Sequence, residues 1–338
     1  MDELQDKRIF LTGASGFIGA NLCRKLLRHG ACVHALVRPS SNLWRLQDLQ
    51  SQLAIHYADI TNDRELSRIV RLVEPQLVIH AAFPSGHPKD RENRQKMIEI
   101  GLSGTTNLLE AVLSIDVERV LAFGSSMGYE VQDEPLTEST PIHPSSLRGA
   151  VKAAGTILCQ HYAERHGQRI LVLRPFAVYG PWESSTRFIP TAILALLRGQ
   201  TLQLTPPGYR HDFLFIKDLM EVSILACKAD LGDFEIINVG TSQEWTNEEV
   251  VDILQKLSGR NLDYKVGTFQ PRPWDAAHWV ADIHKAKRLL GWKPKYSLQH
   301  GLEKTLAWFR QNLHLYNTPS MDNRMDAACF GEATHEYD

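Results

Sequence analysis

The sequence predicts an α/β fold, a doubly wound parallel sheet with a smaller C-terminal α/β lobe, and two patterns carry that expectation. From residue 7 to about 175, short β-rich runs alternate with longer helical periodicities, and most runs are continuously apolar, as in Leu77-Val78-Ile79 and Val120-Leu121-Ala122-Phe123. Strands covered by helices on both faces have that composition. The second pattern is Ile9-Phe10-Leu11-Thr12-Gly13-Ala14-Ser15-Gly16-Phe17-Ile18-Gly19, where an apolar run meets three evenly spaced glycines and an amphipathic segment follows. Gly13 permits a tight turn, Gly16 keeps a Cβ out of the path of a phosphate, and Gly19 lets the new helix pack close to the strand. The unpaired N–H groups and positive dipole end of that helix face the anion. The segment reads as a Rossmann-type βαβ start, with a dinucleotide pyrophosphate on Gly13, Ser15, Gly16, Phe17, Ile18 and Gly19.

In chain order, strands are expected at 7–11, 31–37, 53–57, 77–80, 118–123 and 169–173. Helices are expected at 17–29, 42–50, 63–73, 92–115 and 147–166. The first helix is legible from Ile18, Leu22, Leu26 and Leu27 on one face, and it stops at His29-Gly30. After Pro175 the rhythm shortens, broken by Tyr179-Gly180-Pro181 and Thr205-Pro206-Pro207-Gly208. Helices follow at 187–198, 217–228, 246–258, 283–290 and 298–313, with short strands near 201–204, 213–216 and 235–239. Residues 1–175 are therefore read as the dinucleotide-binding domain and 176–315 as a substrate-binding lobe closing over the cofactor edge. The segment near 213–228 returns to the first domain, and the polar stretch 316–338 is read as a disordered tail.

Composition removes several function classes. With 37 Lys and Arg against 39 Asp and Glu, the net charge of −2 offers nothing to attract nucleic acid or an acidic membrane. No apolar run reaches the length of a membrane span, and the first strand begins too early for a signal peptide. The five cysteines (Cys23, Cys32, Cys159, Cys227, Cys329) lack metal-ligand spacing and read as reduced thiols of a cytoplasmic protein, with no metal needed.

Several motifs in order make the chain, over roughly 7–312, resemble the extended short-chain dehydrogenase/reductase family, in its NAD(P)-dependent sugar-nucleotide epimerase/dehydratase branch. Thr12-Gly13-x-x-Gly16-x-x-Gly19 matches its phosphate loop, Asp59-Ile60 its adenine-contacting pair, and His80-Ala81-Ala82 the strand end lining the cofactor. Ser125 stands where the family keeps the hydroxyl that binds the reacting sugar, and Arg174-Pro175 begins the segment passing the nicotinamide. Arg272-Pro273-x-Asp275 and Leu290-Gly291-Trp292-x-Pro294 resemble the C-terminal signature, whose Arg contacts a substrate diphosphate. The resemblance thus implies cofactor contacts at Asp59, Ile60, Ala81, Ala82, Lys152 and Pro175. It also implies a nucleoside-diphosphate sugar substrate at Ser125, Ser126, Arg187, Arg210 and Arg272, and a homodimer through helices 92–115 and 147–166. Cofactor choice has a charge argument: the end of strand two holds Arg38 with Ser40 and Ser41, where an NAD site usually carries a carboxylate, so NADP is favoured and NAD possible.

The resemblance breaks at its chemical centre. The family's Tyr-x-x-x-Lys reads Arg148-Gly149-Ala150-Val151-Lys152 here, and a guanidinium cannot act as a base. It can hold a carbonyl oxygen. The expected reaction is therefore reduction of a keto group on a nucleotide-linked hexose. In that reading Ser125 and Arg148 hold the oxygen, Lys152 fixes the nicotinamide ribose, and the proton comes from Ser125, Ser126, His87, His143 or water. C4 epimerisation is the alternative, and it needs a base not visible in the sequence. A dinucleotide-binding protein with non-redox or lost activity is the third reading. Where dehydratases carry an Asp-Glu pair, Ser126 and Met127 stand; Ala177 and His211-Asp212-Phe213 also depart from the usual Asn and Arg-Asp-Phe.

Overall fold

The computed structural model describes residues 3–84, 90–270, 272 and 275–317. Six strands, β1 (Arg8–Thr12), β2 (Cys32–Val37), β3 (Ala54–Tyr57), β4 (Leu77–His80), β5 (Arg119–Phe123) and β6 (Ile170–Pro175), form a sheet with a seventh at its edge, Phe234–Val239. The spatial order is Phe234–Val239, β6, β5, β4, β1, β2, β3, and every pairing is parallel. The order reverses between β1 and β4, the position at which open parallel sheets bind ligands beyond the carboxyl ends of their strands.

Crossover helices cover both faces: α1 (Phe17–Arg28), α2 (Asp63–Val73), α3 (Arg91–Ile98), α4 (Gly104–Leu113) and α5 (Leu147–His166). Local chemistry sets their starts. Asn62 accepts from the Glu65 amide at the head of α2, and Ser146 accepts from the Gly149 amide at the head of α5. The second half contributes α6 (Phe188–Arg198), α7 (Ile216–Lys228), α8 (Asn247–Ser258), α9 (His284–Leu290) and α10 (Leu298–Gln311). Two-stranded pairs brace it: 213–215 runs parallel to 177–179, 210–211 antiparallel to 245–246, and 264–265 parallel to 202–203. Helix α7 packs against α1, β5 and β6. Among the described residues, no helix is long and apolar enough to cross a membrane.

Four expectations differ from the structure. The run 42–50 is not an α-helix but two 3-10 turns, Trp44–Leu46 and Gln50–Gln52. Its apolar residues Leu43, Leu46 and Leu49 are spaced by three, and their backbones form successive i to i+3 bonds of 2.8–2.9 Å, the 3-10 period. The helix expected at 92–115 is interrupted by a π-helical turn, Glu99–Ser103. The turn packs closely on its neighbours: a Cβ on Gly101 would lie 2.3 Å from Val151 Cγ1, and one on Gly104 would lie 2.6 Å from Ile60. The strand expected at 235–239 belongs to the main sheet, paired with β6, rather than to the second lobe. Tyr316, placed in the tail, is 8% exposed and ends a 3-10 turn at Leu313–Tyr316; residues 318–338 lie outside the described residues. The apolar surplus on α4 and α5 is mostly core of this one chain, with Leu108, Leu109, Val112 and Tyr162 buried and Leu113 and Ile157 exposed.

The close approach of α1 to the loop before it yields a test. A Cβ on Gly19 would sit 2.1 Å from the Gly13 carbonyl oxygen, whereas one on Gly155 in α5 would meet only Gly101 O at 3.5 Å. Gly19→Ala is expected to cost about 1–3 kcal/mol through overpacking. Gly155→Ala is expected to be neutral or to stabilise by up to ~1 kcal/mol. Urea unfolding midpoints of both variants check the contrast.

Candidate active site

The phosphate cradle is built from backbone. Gly13 has φ +72°, and a Cβ there would approach Ala81 C, Ala81 O and Ala82 N to 2.6 Å. The end of β4 is therefore pressed against the turn that follows β1. Helix α1 is capped by Gly16 with no side-chain acceptor, and its first turn holds no acidic residue, so the N–H groups of Phe17, Ile18 and Gly19 are left to an anion. This fits a dinucleotide pyrophosphate. Arg45, which sequence reasoning missed, is 5% exposed beside the loop. Its Nε donates to Trp182 O at 2.7 Å, its Nη1 points at Ser15 O 3.5 Å away, and its guanidinium lies 4.4 Å from the Trp44 ring centroid. Its only sequence signal was a basic residue inside an apolar run.

Of the other expected cofactor residues, Arg38 is exposed at the end of β2, and its amide donates to Ser41 Oγ at 3.2 Å. Asp59 Oδ1 accepts from Thr61 N and Thr61 Oγ1 at 2.9 and 2.8 Å, while Ile60 is buried against Gly104. Ala81, Ala82 and Pro175 lie at the carboxyl ends of β4 and β6.

His80, at the end of β4, is held from both sides. Its Nδ1 lies 2.8 Å from Thr12 Oγ1 and its Nε2 3.0 Å from Thr105 Oγ1. Thr105 Oγ1 spends its one proton on Gly101 O at 2.7 Å. It must therefore accept from Nε2–H, which makes Nδ1 the acceptor of the Thr12 hydroxyl. Thr12 Oγ1 in turn accepts from the Ala82 amide at 3.3 Å. Burial, with Lys152 nearby, pushes the imidazole down to about 3, so it stays neutral and cannot carry a proton.

Ser125, Arg148 and Lys152 gather beyond β5. Ser125 is partly exposed, and its Oγ accepts from the Met127 amide at 3.2 Å. Lys152 Nζ donates to Phe123 O at 2.6 Å, two residues before Ser125. Arg148, one helical turn before Lys152, donates from Nη1 to Pro84 O at 2.9 Å. Both cations lie against Phe83, Lys152 Nζ at 4.3 Å and the Arg148 guanidinium at 5.0 Å from the ring centroid. Phe83 follows the recognisable His80-Ala81-Ala82 and carried no signal of its own. Two buried tyrosines are committed elsewhere: Tyr129 Oη donates to Asn238 Oδ1 at 2.7 Å and Tyr179 Oη to Leu298 O at 3.3 Å. His143 is exposed and faces Glu130 at 3.5 Å; His87 lies outside the described residues.

On the substrate side, Ser126 is 3% exposed and accepts from the Trp279 indole at 3.1 Å, a contact that no sequence pattern announced. The arginines divide. Arg187 and Arg272, with Asp275, are close enough to influence His211, whereas Arg210 Nε points to Glu244 at 3.9 Å, which also pairs with His278 at 2.8 Å. Arg272 folds over Phe269, with Asp275 accepting from its amide at 2.8 Å. Asp212 is structural: fully buried, it accepts from Thr241, Ser242 and Ala281.

The profile of the "NAD dependent epimerase/dehydratase family" matches residues 9–240. A UDP-glucuronate 4-epimerase of Thermodesulfobacterium geofontis is 29% identical over 316 residues, covering 90% of this chain and 97% of that one. A crystal structure of the Bacillus cereus UDP-glucuronic acid 4-epimerase with UDP-glucuronic acid and NAD has a TM-score of 0.82 at 26% identity, covering 90% and 99%. A dTDP-glucose 4,6-dehydratase of Streptomyces venezuelae with NAD and TYD bound has a TM-score of 0.84 at 26% identity, covering 92% and 99%.

The neutral His80 gives a stability signature. Its value is about 3 when folded against the ordinary 6.5, so between those limits the unfolded chain binds the extra proton and stability falls on acidification. Wild type is expected to lose up to about 1.4 kcal/mol per pH unit more than His80→Gln in that window. Denaturant titrations from pH 7 to 5 measure the difference in slope.

Proposed function

This chain belongs to the NAD dependent epimerase/dehydratase family, and we propose that it is an NAD(P)-dependent C4 epimerase of a nucleoside-diphosphate sugar, of the UDP class. The observation that carries the reading is a phosphate cradle at Gly13–Gly19 after β1 together with Ser125 and the Phe123-bound Lys152 after β5, two strand ends that flank β4 in the sheet. Relatives that are UDP-glucuronate 4-epimerases over nearly their whole length favour this reading over the keto-sugar reductase reading, which drew on Arg148 alone. Dehydration has no support from the residues after Ser125, because Ser126 and Met127 lack a carboxyl group and Ser126 is already engaged by Trp279.

A nicotinamide dinucleotide held on Gly13, Ser15, Gly16, Phe17, Ile18 and Gly19 supplies the hydride acceptor and donor. The chain's own share is binding and orientation. Arg187 and Arg272 hold the diphosphate beside His211, Ser125 bonds the reacting hydroxyl, and Trp279 walls the sugar. Asp59 and Ile60 receive the adenine, and Ala81, Ala82 and Pro175 flank the cofactor. Neighbours hold NAD; here Arg38, with no carboxylate beside it, admits the 2′-phosphate of NADP as well. Two chains pair through α4 and α5, where Leu113 and Ile157 stay exposed.

Incubation with NAD and UDP-glucuronate or UDP-glucose, followed by proton NMR of the C4 configuration, is expected to give the epimer, and Ser125→Ala to slow it by about 10²-fold. Consumption of NADPH only with a 4-keto sugar would establish the reductase instead, and tight cofactor binding with neither reaction would establish a non-redox role. In equilibrium binding, Arg38→Ala is expected to weaken NADP by roughly tenfold, the worth of one charge-assisted contact, and to leave NAD unchanged.

A further inference from the structure

We infer that Lys152 Nζ takes the proton from the reacting sugar hydroxyl and returns it, the part for which a phenol would serve at position 148. The inference rests on the epimerase reading, which requires a base that Arg148 cannot provide. Among the described residues elimination narrows the choice, with Ser125 kept as the group that bonds the hydroxyl. Both ring nitrogens of His80 are spent on Thr12 and Thr105. The Tyr129 and Tyr179 hydroxyls donate to Asn238 and Leu298, and Arg174 lies over the Tyr129 ring at 4.8 Å. Ser126 is occupied by Trp279 and His143 by Glu130.

Lys152 remains, and its placement suits the task. It projects from α5 one turn after Arg148, and its amine lies near the Phe83 ring and donates to the Phe123 carbonyl. The neutral amine has two N–H bonds and one lone pair, so it can donate to Phe123 O and still turn its lone pair to the hydroxyl bound at Ser125. Two cations share the single Phe83 ring, and the guanidinium does not give up its proton. The ammonium therefore yields: burial first, then Arg148, bring Lys152 down to about 7, with Cys159 as the opposing influence. The other titratable group facing it, His80, is neutral. At neutral pH the amine is thus present in both protonation states, as a carrier that must accept and then return a proton requires.

The step balances. The O–H bond breaks as an N–H bond forms on the neutral amine. The pair left on oxygen closes the C=O bond while the C4–H pair leaves as hydride to the nicotinamide dinucleotide. Return of hydride to the other face draws the proton back from nitrogen to oxygen.

The test uses the full chain labelled with [ε-¹³C]lysine, the Lys152 signal being assigned by its loss in Lys152→Arg. Its titration midpoint is expected near 7, rising by roughly one unit in Arg148→Gln, where the neighbouring charge is gone. In the epimerase assay with UDP-glucuronate and NAD, the rate is expected to rise through the same midpoint. Lys152→Arg should lose the rate at least 10²-fold while a fluorescence titration still reports cofactor binding. A midpoint above 9, or a Lys152→Arg protein that keeps the wild-type rate and pH profile, overturns the assignment. A midpoint near 7 in a wild-type chain inert toward the nucleotide sugars overturns the epimerase reading instead, and supports Lys152 as a proton carrier for another hydroxyl.

Discussion

The site depends on one buried hydrogen-bond chain: Ala82 N–H to Thr12 Oγ1, Thr12 O–H to His80 Nδ1, His80 Nε2–H to Thr105 Oγ1, and Thr105 O–H to Gly101 O. Each donor finds one acceptor, so a single tautomer satisfies all four links, and no member can be left out without stranding a buried polar atom. The chain ties the end of β1 to the end of β4 and both to the π-helical turn at Glu99–Ser103. It thereby sets Ala81 and Ala82 against Gly13, and it fixes where Phe83 must emerge. The turn after β1 and the segment that carries Phe83 are thereby joined through one hydrogen-bonded chain.

Substitution of the expected phenol by Arg148 changes the electrostatics around that unit rather than only deleting a group. An ammonium beside a phenol favours the phenolate, whereas a guanidinium beside an ammonium near the same Phe83 ring disfavours the ammonium. Arg148 also fastens Pro84, so the segment after β4 is anchored by the residue that stands in place of the expected phenol. Under the proposed role of Lys152, ionisation moves from side chain 148 to side chain 152, one helical turn along α5.

Much of this was legible in the sequence, for definite reasons. Continuous apolar runs such as Leu77-Val78-Ile79 marked strands buried on both faces, and Gly13 and Gly19 announced close approaches that no Cβ could survive. The period of three through Leu43, Leu46 and Leu49 was present too, but it was assigned to the commoner helix. The strand at 234–239 was visible while its partner was not, because pairing with β6 depends on a crossover of about sixty residues that leaves no local trace. Within the site, motif positions such as Ser125 and Lys152 could be found by spacing. Arg45, Phe83, Thr105 and Trp279 could not, since each acts through a partner far away in sequence.

Trp182 holds φ +73°, a conformation that costs a non-glycine residue about 1–3 kcal/mol. Its ring is caught between Arg24, 4.1 Å from the centroid, and Trp308 at 4.9 Å, and Tyr316 donates to the next carbonyl, Glu183 O, at 2.8 Å. Its own carbonyl receives Arg45, which reaches the phosphate loop. During synthesis the loop leaves the ribosome some three hundred residues before Trp308 and Tyr316 do. The nascent chain can therefore complete its first βαβ unit early, but the bracing of the phosphate loop through Arg45 and Trp182 waits until residues as far as Tyr316 have been made.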